Sequence, residues 1–262
     1  MTDNARPLAL VTGASSGIGA NLARELARDG HDLVLAARRV EPMRILAEEL
    51  KAAGARCTIV AADLSKSGAA AALVRELETQ GLSVDVLINN AGLGINGRFD
   101  TSDPLRVAEI LQVNVVALTE LTRLLLPSMV KRRKGKVMLV ASTAAFQPGP
   151  QMAVYCASKT YVLSFGEAIA YELRGVSVTT LCPGATDTEF ADVAEAGSSA
   201  LFKGLLPVMD AKEVARIGYQ GLKAGRGVVI TGLLNKVMAT SSRLSPTPVS
   251  IRIANWMMSA GK

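Results

Sequence analysis

The stretch Leu8-Ala9-Leu10-Val11-Thr12-Gly13-Ala14-Ser15-Ser16-Gly17-Ile18-Gly19 decides the fold of this chain. Its first four residues are apolar and predict a buried strand, and the sequence after Gly19 predicts a helix rich in Ala, Leu and Arg. Gly13 permits a tight turn, Gly17 lets the backbone approach a pyrophosphate, and Gly19 permits close packing of the helix against the strand. Because a helix start offers free N–H groups and a positive dipole, the stretch predicts a dinucleotide-binding βαβ unit.

Apolar runs alternate with helix-like stretches along the chain, a pattern typical of right-handed βαβ units. The sequence predicts strands at Leu8–Val11, Asp32–Ala36, Cys57–Ala61, Val84–Asn89, Lys136–Ala141, Ser177–Cys182 and Val228–Thr231. It predicts helices that include Ile18–Asp29, Pro42–Ala53, Ala69–Gln80 and Leu105–Arg133. We therefore predict an α/β fold with one Rossmann-like domain over residues 1–262, a doubly wound parallel sheet of about seven strands with helices on both faces.

Composition argues against several classes of protein. His31 is the only histidine, which excludes triads that use histidine as the base and histidine-rich metal sites, so no metal is predicted. Cys57, Cys156 and Cys182 are widely spaced without a CxxC pair and predict reduced, buried thiols. No run of about 18 uncharged apolar residues appears, and the short polar N-terminus lacks the features of a signal peptide. We expect a cytoplasmic protein.

The formal net charge of +6 is concentrated near the C-terminus. No acidic residue follows Glu213, whereas seven basic residues do: Arg216, Lys223, Arg226, Lys236, Arg243, Arg252 and Lys262. Such a tail can contact an anionic ligand, a membrane surface or nucleic acid, but a solvated face is the favoured interpretation. A second basic cluster, Lys131–Lys136, lies where a helix should end, and its cations complement the helix dipole. Without aromatic RNA-binding motifs or zinc spacing, no nucleic-acid partner is predicted.

Residues 187–210 interrupt the alternating pattern with small residues mixed among apolar ones such as Phe190 and Phe202. This mixture favours a substrate flap over a pocket, with an ordinary surface helix as the alternative.

The basic tail, residues 233–262, ends in a predicted helix that starts at Thr247-Pro248. Val249, Ile253, Trp256 and Met257 fall on one face of that helix. Packing of this stripe on the core or on a partner subunit is favoured over association with a membrane surface.

The end of the second predicted strand indicates which nicotinamide cofactor binds. A carboxylate there would bind the ribose 2′-hydroxyl of NAD and repel a 2′-phosphate, but this chain has Ala36-Ala37-Arg38-Arg39. A guanidinium can instead form charge-assisted contacts with a phosphate. We predict NADP(H) rather than NAD, with Arg38 as principal anchor and Arg39 or Ser15 assisting; the alternative is a pair of solvated arginines.

Tyr155 and Lys159 are four residues apart in a predicted helix and share one of its faces. A free phenol has a pKa of about 10, and a neighbouring ammonium should lower the pKa of Tyr155 by stabilising the phenolate. The pair therefore suits proton transfer to or from a reacting oxygen.

In combination, these motifs resemble those of the short-chain dehydrogenase/reductase family. Thr12, Gly13, Gly17 and Gly19 match its TGxxxGxG pattern, Asn89–Gly92 match NNAG, and Pro183–Thr188 match PGxxxT, with Thr186 where valine is more common. Ser142 lies thirteen residues before Tyr155, the separation found in the family, although Thr143 is an adjacent competitor. The resemblance covers about residues 6 to 190.

The resemblance implies catalytic roles for Ser142, Tyr155, Lys159 and Asn114. Ser142 would polarise the substrate oxygen, Tyr155 would exchange the proton, and Lys159 would hold the cofactor ribose and tune Tyr155. Asn114 would hold a water that links the lysine to solvent, although a buried amide that satisfies local backbone groups is the alternative.

Cofactor contacts follow from the same motifs. Asp63 is expected to bind the adenine amino group, and Thr186 and Thr188 the nicotinamide carboxamide. The full predicted set is Gly13, Ser15, Ser16, Gly17, Ile18, Gly19, Arg38, Arg39, Asp63, Leu64, Asn90, Ala91, Gly92, Tyr155, Lys159, Pro183, Gly184, Thr186 and Thr188.

The function implied is NADP(H)-dependent hydride transfer between nicotinamide and a carbonyl or secondary alcohol. The apolar flap favours a hydrophobic ketone, and the subgroup most similar to the chain contains hydroxysteroid dehydrogenases and long-chain ketoacyl reductases. A non-catalytic NADP-binding or sensing protein is the alternative. The resemblance further implies a homodimer or homotetramer formed through the long fourth and fifth helices.

Overall fold

The computed structural model describes residues 6–190 and 208–259. Its centre is a parallel sheet of apolar strands, most of them covered on both faces. The strands are β1 (Leu8–Thr12), β2 (Asp32–Ala37), β3 (Cys57–Ala61), β4 (Val86–Asn89), β5 (Lys136–Val140), β6 (Ser177–Cys182), β7 (Thr186–Asp187), β8 (Met209–Asp210) and β9 (Val228–Ile230). Within the described residues, seven of them form one sheet in the order β3-β2-β1-β4-β5-β6-β9.

Nine helices are described around this sheet. They are α1 (Gly17–Arg28), α2 (Val40–Ala52), α3 (Ala69–Thr79), α4 (Pro104–Leu111), α5 (Leu118–Arg132), α6 (Ala153–Glu172), α7 (Ala211–Lys223), α8 (Leu233–Leu244) and α9 (Thr247–Ser259). Helices α1, α2 and α7 bury one face of the sheet, and α3, α4, α5 and α6 bury the other. Successive residues of a strand point to opposite faces of the sheet. In β1, Ala9 packs with helices α1, α2 and α7, and Leu10 packs on the opposite face.

The predicted doubly wound α/β fold is confirmed. All seven predicted strands form, with bounds that differ by no more than two residues. The largest difference is at β4, which begins at Val86 rather than Val84.

The predicted helix Leu105–Arg133 is interrupted. Between α4 and α5, the segment Gln112–Ala117 winds as a π-helix that contains the buried Asn114. Such segments often occur at functional sites. The continuous run Pro104–Arg132 is long and apolar enough to cross a membrane by length and composition alone. Its inner residues, including Leu121 and Met129, pack in the core against the sheet, as expected for a core helix.

Strand order reverses between β1 and β4, where consecutive βαβ units wind away in opposite directions. In parallel α/β sheets, the crevice at the carboxyl ends of the strands at such a point is the usual place for a ligand. The short strands β7 and β8 lie on this side, and they pair Thr186 with Met209 and Asp187 with Asp210. The two ends of the predicted flap are therefore held together, and residues 191–207 between them lie outside the described part.

Candidate active site

The glycine loop after β1 has the conformation that its sequence predicts. Gly13 and Gly17 adopt left-handed backbone angles, with φ of 64° and 56°, which side chains rarely tolerate. A Cβ on Gly19 would collide with the carbonyl oxygen of Gly13 and the amide of Asn90. The loop can therefore pack this closely only with glycine at position 19.

The N-terminus of α1 provides free hydrogen-bond donors. No side chain of the described residues caps it, and the hydroxyl of Ser16, the residue at the N-cap position, donates instead to Glu189 at 2.9 Å. The first N–H groups of a helix have no partner within the helix, and here Gly17 and Ile18 line the cavity. Donors of this kind fit the oxygens of a pyrophosphate.

Asn90 fastens the glycine loop to β4. Its side-chain amide donates to the carbonyl oxygens of Thr12 at 3.0 Å and Gly13 at 3.2 Å. The Thr12 hydroxyl in turn accepts from the backbone N–H groups of Asn90 and Ala91. Asn90, Ala91 and Gly92 also form part of the cavity wall, so the NNAG motif both supports the loop and borders the site.

The two arginines after β2 have different surroundings. Arg39 forms an ion pair with Glu189 at 2.5 Å and lies within 3.4 Å of the Ser15 hydroxyl and 3.2 Å of the Ser16 hydroxyl. Arg38 is exposed on the cavity wall, and no carboxylate of the described residues lies within ion-pair distance of it. Among the described residues, a carboxylate pairs with Arg39 but none pairs with Arg38, and the partner of Arg39, Glu189, is a residue that the sequence did not single out.

Asp63 caps the segment that follows β3. One of its carboxylate oxygens accepts from the Ser65 amide at 3.1 Å and from the Ser65 hydroxyl at 2.7 Å. Burial acts to raise the pKa of Asp63, but these hydrogen bonds and the nearby charge of Arg38 hold the pKa below its usual value. Asp63 and Leu64 both line the cavity, so the local capping role coexists with a position suited to an adenine contact.

Tyr155 lies almost fully buried at the inner end of the cavity, and the Ser142 hydroxyl faces its phenol. Burial raises the pKa of Tyr155 above its usual range, and hydrogen bonding with Ser142 opposes the rise only in part. The sequence led us to expect that Lys159 lowers the pKa of Tyr155. That expectation is wrong, because the effect of burial on this pKa is larger. A buried phenolate loses more hydration than one neighbouring amine restores.

Lys159 is held behind Tyr155 rather than in solvent. Its ammonium donates to the carbonyl oxygen of Val140 at 2.8 Å and lies 5.8 Å from the centre of the Tyr155 ring. Burial lowers the pKa of Lys159 to about 8. Because this pKa lies near neutral pH, the charge of Lys159 responds to small changes in its surroundings.

Asn114 is fully buried and not on the cavity wall. Its side chain accepts from the Leu93 amide at 2.8 Å and donates to the Leu93 carbonyl and the Ser158 hydroxyl, each at 2.9 Å. Both protons of the side-chain amide are therefore used, which agrees with the alternative that Asn114 satisfies local groups of the protein. A Cβ placed on Gly92 would lie 3.3 Å from the Lys159 ammonium and 3.5 Å from the Asn114 amide oxygen, so both groups face the same side of Gly92. The water relay through Asn114 stays a prediction.

The PGxxxT segment closes the opposite wall. The Thr186 hydroxyl donates to the carbonyl of Gly184 at 2.9 Å, and Thr188 accepts from the amide of Phe190 at 3.3 Å. Thr188 also contacts the glycine loop, because a Cβ on Gly17 would lie 3.0 Å from its methyl group. Pro183, Gly184, Thr186 and Thr188 all line the cavity, and the segment thus joins the glycine loop to the flap.

Phe190, predicted to be part of the flap, lies against the reacting centre. Its ring centre is 5.3 Å from that of Tyr155, and Met152 and Cys156 complete this apolar cluster. The other predicted flap residue, Phe202, lies outside the described residues.

The cavity that these residues surround has a volume of about 480 Å³. Most predicted site residues line it, whereas Gly19 and Asn114 lie behind its wall. Sequence reasoning missed the inner face of α8, formed by Asn235, Met238, Ala239 and Ser242, and Ala254 of α9. The spacing of these positions by three or four residues was the available signal. Among the described residues, no group of three acidic, histidine or cysteine side chains forms a metal site.

Comparison with known proteins agrees with this geometry. The family model described as short chain dehydrogenase matches residues 7–198. The ketoacyl reductase HetN of Nostoc sp. is 33% identical over 255 residues, which cover 94% of this chain and 88% of that protein.

Solved structures are similar as well. A short-chain dehydrogenase from Sphingobium yanoikuyae in complex with NADPH is 31% identical, covers 91% of this chain and 94% of its own, and has a TM-score of 0.80. The bulky-bulky ketone specific alcohol dehydrogenase from Comamonas testosteroni is 29% identical, covers 91% and 92%, and has a TM-score of 0.76. The chain belongs to the short-chain dehydrogenase family and is an oxidoreductase that uses a nicotinamide cofactor.

Proposed function

We propose that the protein is an NADP(H)-dependent carbonyl reductase for hydrophobic ketones. The observation that carries the proposal is the arrangement of one cavity, with the Arg38–Arg39 pair at one end and Tyr155 in an apolar cluster at the other. The first end suits an anionic cofactor, and the second a hydrophobic carbonyl compound.

NADP(H) is favoured over NAD(H) by charge. Arg38 and Arg39 directly follow β2, where a carboxylate would favour NAD(H), and the exposed guanidinium of Arg38 can bind a 2′-phosphate through charge-assisted hydrogen bonds. Arg39 can join it once its exposed ion pair with Glu189 opens, and exposed pairs of this kind contribute little stability.

The reacting end of the cavity favours an apolar substrate. Tyr155 is flanked by Met152, Cys156 and Phe190, and α8 adds Met238 and Ala239 to the wall. Such a surface would bind the body of a bulky ketone, while Tyr155 and Ser142 supply the polar contacts that fix its oxygen. The subgroup that includes hydroxysteroid dehydrogenases and ketoacyl reductases stays part of this proposal.

When bound, the nicotinamide supplies or accepts the hydride. The chain's own residues handle the oxygen and its proton. Ser142 donates a hydrogen bond to the carbonyl oxygen and stabilises the charge that develops there. Tyr155 gives its phenolic proton to that oxygen in the reducing direction, and its raised pKa suits a group that must hold the proton until reaction. The ammonium of Lys159, held by its hydrogen bond to Val140, places a positive charge near the phenolate that results.

Steady-state oxidation of NADPH and NADH, followed at the nicotinamide absorbance, tests the proposal with bulky aromatic or steroid-like ketones and small polar sugars. Bulky ketones with NADPH should react fastest, and Tyr155→Phe should reduce kcat by roughly 10²- to 10⁴-fold while NADPH still binds. A preference for polar sugars would contradict the substrate class. Full activity of Tyr155→Phe, or none in the intact protein with any ketone, would contradict the catalytic role and favour a cofactor-binding protein.

We also propose a homo-oligomer. Apolar residues of the long helices stay exposed in the single chain, namely Leu111, Val116, Leu124 and Tyr161. Tyr161 stacks on Phe165 at 5.7 Å and shares a hydrogen bond with Thr119, so this surface is preformed. Light scattering should give twice or four times the 27.4 kDa chain mass, and a Val116→Glu variant should shift it towards the monomer.

A further inference from the structure

Helices α8 and α9 present apolar side chains to solvent. Besides Ile251, which is on another side of α9, six large apolar residues are exposed, three on α8 and three on α9: Leu233, Leu234, Val237, Val249, Ile253 and Trp256. Leu233 is 79% exposed, and Val237 and Trp256 are each 58% exposed. We call these six residues the C-terminal apolar surface. Exposed apolar residues grouped on the faces of two successive helices mark a contact surface more often than isolated ones do.

This surface is on the outer sides of the two helices. On α8, the inner side carries Asn235 and Ala239, which line the cavity, so Leu233 and Val237 project the other way. On α9, Ser250 and Ala254 are buried one turn apart.

Val249, Ile253 and Trp256 recur on α9 at the spacing of a separate helical face. Their spacing in the sequence favours packing on the core or on a partner subunit. The exposure of the three side chains shows that they do not pack on the core of their own chain.

Exposed positive charge accompanies the apolar surface. Lys236 is next to Val237 on α8, and Arg252 is one turn before Trp256 on α9. Both are exposed, and no carboxylate of the described residues lies within ion-pair distance of either. Neither helix contains an acidic residue. Arg243 differs, since it pairs with Glu167 at 3.5 Å and lies over the Phe146 ring.

We propose that the C-terminal apolar surface docks the protein on an anionic lipid bilayer. The aliphatic side chains and Trp256 would enter the boundary between headgroups and acyl chains, and Lys236 and Arg252 would contact anionic headgroups. Tryptophan suits this depth because its ring is apolar and its N–H is polar. A second copy of the chain fits less well. A two-fold contact through this surface would bring its unpaired cations together without an acid to neutralise them.

Flotation of the full-length protein with vesicles of phosphatidylcholine alone, or with added phosphatidylglycerol, tests the docking. The protein should float with the anionic vesicles. In Lys236→Gln/Arg252→Gln, partitioning should fall by roughly 25-fold, because each basic side chain near an anionic surface contributes about fivefold. Arg75→Gln/Lys212→Gln removes two exposed cations elsewhere and should partition like the intact protein.

A second pair of variants tests the apolar part. Val237→Ser/Ile253→Ser should abolish flotation, whereas Ile45→Ser/Leu105→Ser, which changes even more exposed apolar residues of α2 and α4, should not. Thermal unfolding of every variant should match that of the intact protein, since all these positions are exposed.

Trp256 is the only tryptophan of the chain and reports its own surroundings. Its emission should shift to the blue with anionic vesicles, and brominated lipid should quench it. Equal partitioning of intact and Lys236→Gln/Arg252→Gln protein would overturn the proposal, as would the absence of flotation. A blue shift that instead grows with protein concentration and without vesicles would overturn it in favour of contact between two copies of the chain.

Discussion

Glu189 and Arg39, 150 residues apart in the chain, form an ion pair whose nearest nitrogen and oxygen are 2.5 Å apart. The pair joins the start of the flap to the end of β2 at the mouth of the cavity. About half of each side chain is exposed, 51% for Arg39 and 54% for Glu189. Glu189 thus accepts hydrogen bonds from Arg39 that an anionic ligand could otherwise accept.

Glu189→Gln is expected to strengthen NADPH binding. The substitution frees Arg39 and removes a negative charge beside the proposed phosphate site, and an exposed ion pair of this type corresponds to a change of about two- to fivefold in Kd. Titration calorimetry with NADPH and NADH measures it. An equal gain for both cofactors would show that Glu189 does not oppose the 2′-phosphate.

Arg38→Asp should weaken NADPH binding by roughly 10- to 100-fold, because a hydrogen bond to a charged group contributes on the order of 1.5–3 kcal/mol. Binding of NADH, which has no 2′-phosphate, should stay the same or improve. Arg44→Asp, at an exposed position of α2, is the matched control and should change neither Kd. An unchanged Kd for NADPH in Arg38→Asp would contradict the assignment of the cofactor.

Lys159→Met should lose activity and gain stability at neutral pH. Folding lowers the pKa of Lys159 from 10.5 to about 8. Burial of Lys159 therefore destabilises the folded protein at every pH at which the unfolded chain binds this proton more than the folded chain does. The cost is fully present below pH 8 and disappears as the pH rises through 10.5. The free energy of unfolding of the variant should exceed that of the intact protein by about 3 kcal/mol at pH 7, less the lost hydrogen bond to Val140.

Urea unfolding at pH 7 and pH 9.5 measures this difference, which should narrow by about 2 kcal/mol between the two conditions. A difference that is independent of pH would mean that Lys159 is neutral in both states or fully charged in both.

Gly19→Ala should destabilise the protein by about 1–3 kcal/mol, the usual cost of forcing extra atoms into a packed site. The new Cβ would collide with the carbonyl of Gly13 in the glycine loop and with the amide of Asn90, which fastens that loop to β4. Gly227→Ala is the control, because nothing lies within 4 Å of a Cβ at that position. Thermal unfolding and NADPH titration measure the effect. Equal stability of the two variants would show that the loop adapts.

The sequence by itself determined the sheet and the positions of the phosphate and proton-transfer groups. Apolar runs identified the strands because residues of a parallel sheet are buried on both faces. Gly13, Gly17 and Gly19 identified the loop because few other residues allow its backbone angles and its packing. Tyr155 and Lys159 share a face because helical geometry is local.

Only the tertiary structure decided the properties that depend on distant residues. Glu189 meets Arg39 across 150 positions, and α8 and α9 complete the cavity that the earlier helices begin. Burial raises the pKa of Tyr155 and lowers that of Lys159, whereas the sequence alone predicted only that Lys159 lowers the pKa of Tyr155. Desolvation depends on everything packed around a group, and no spacing within one helix contains that information.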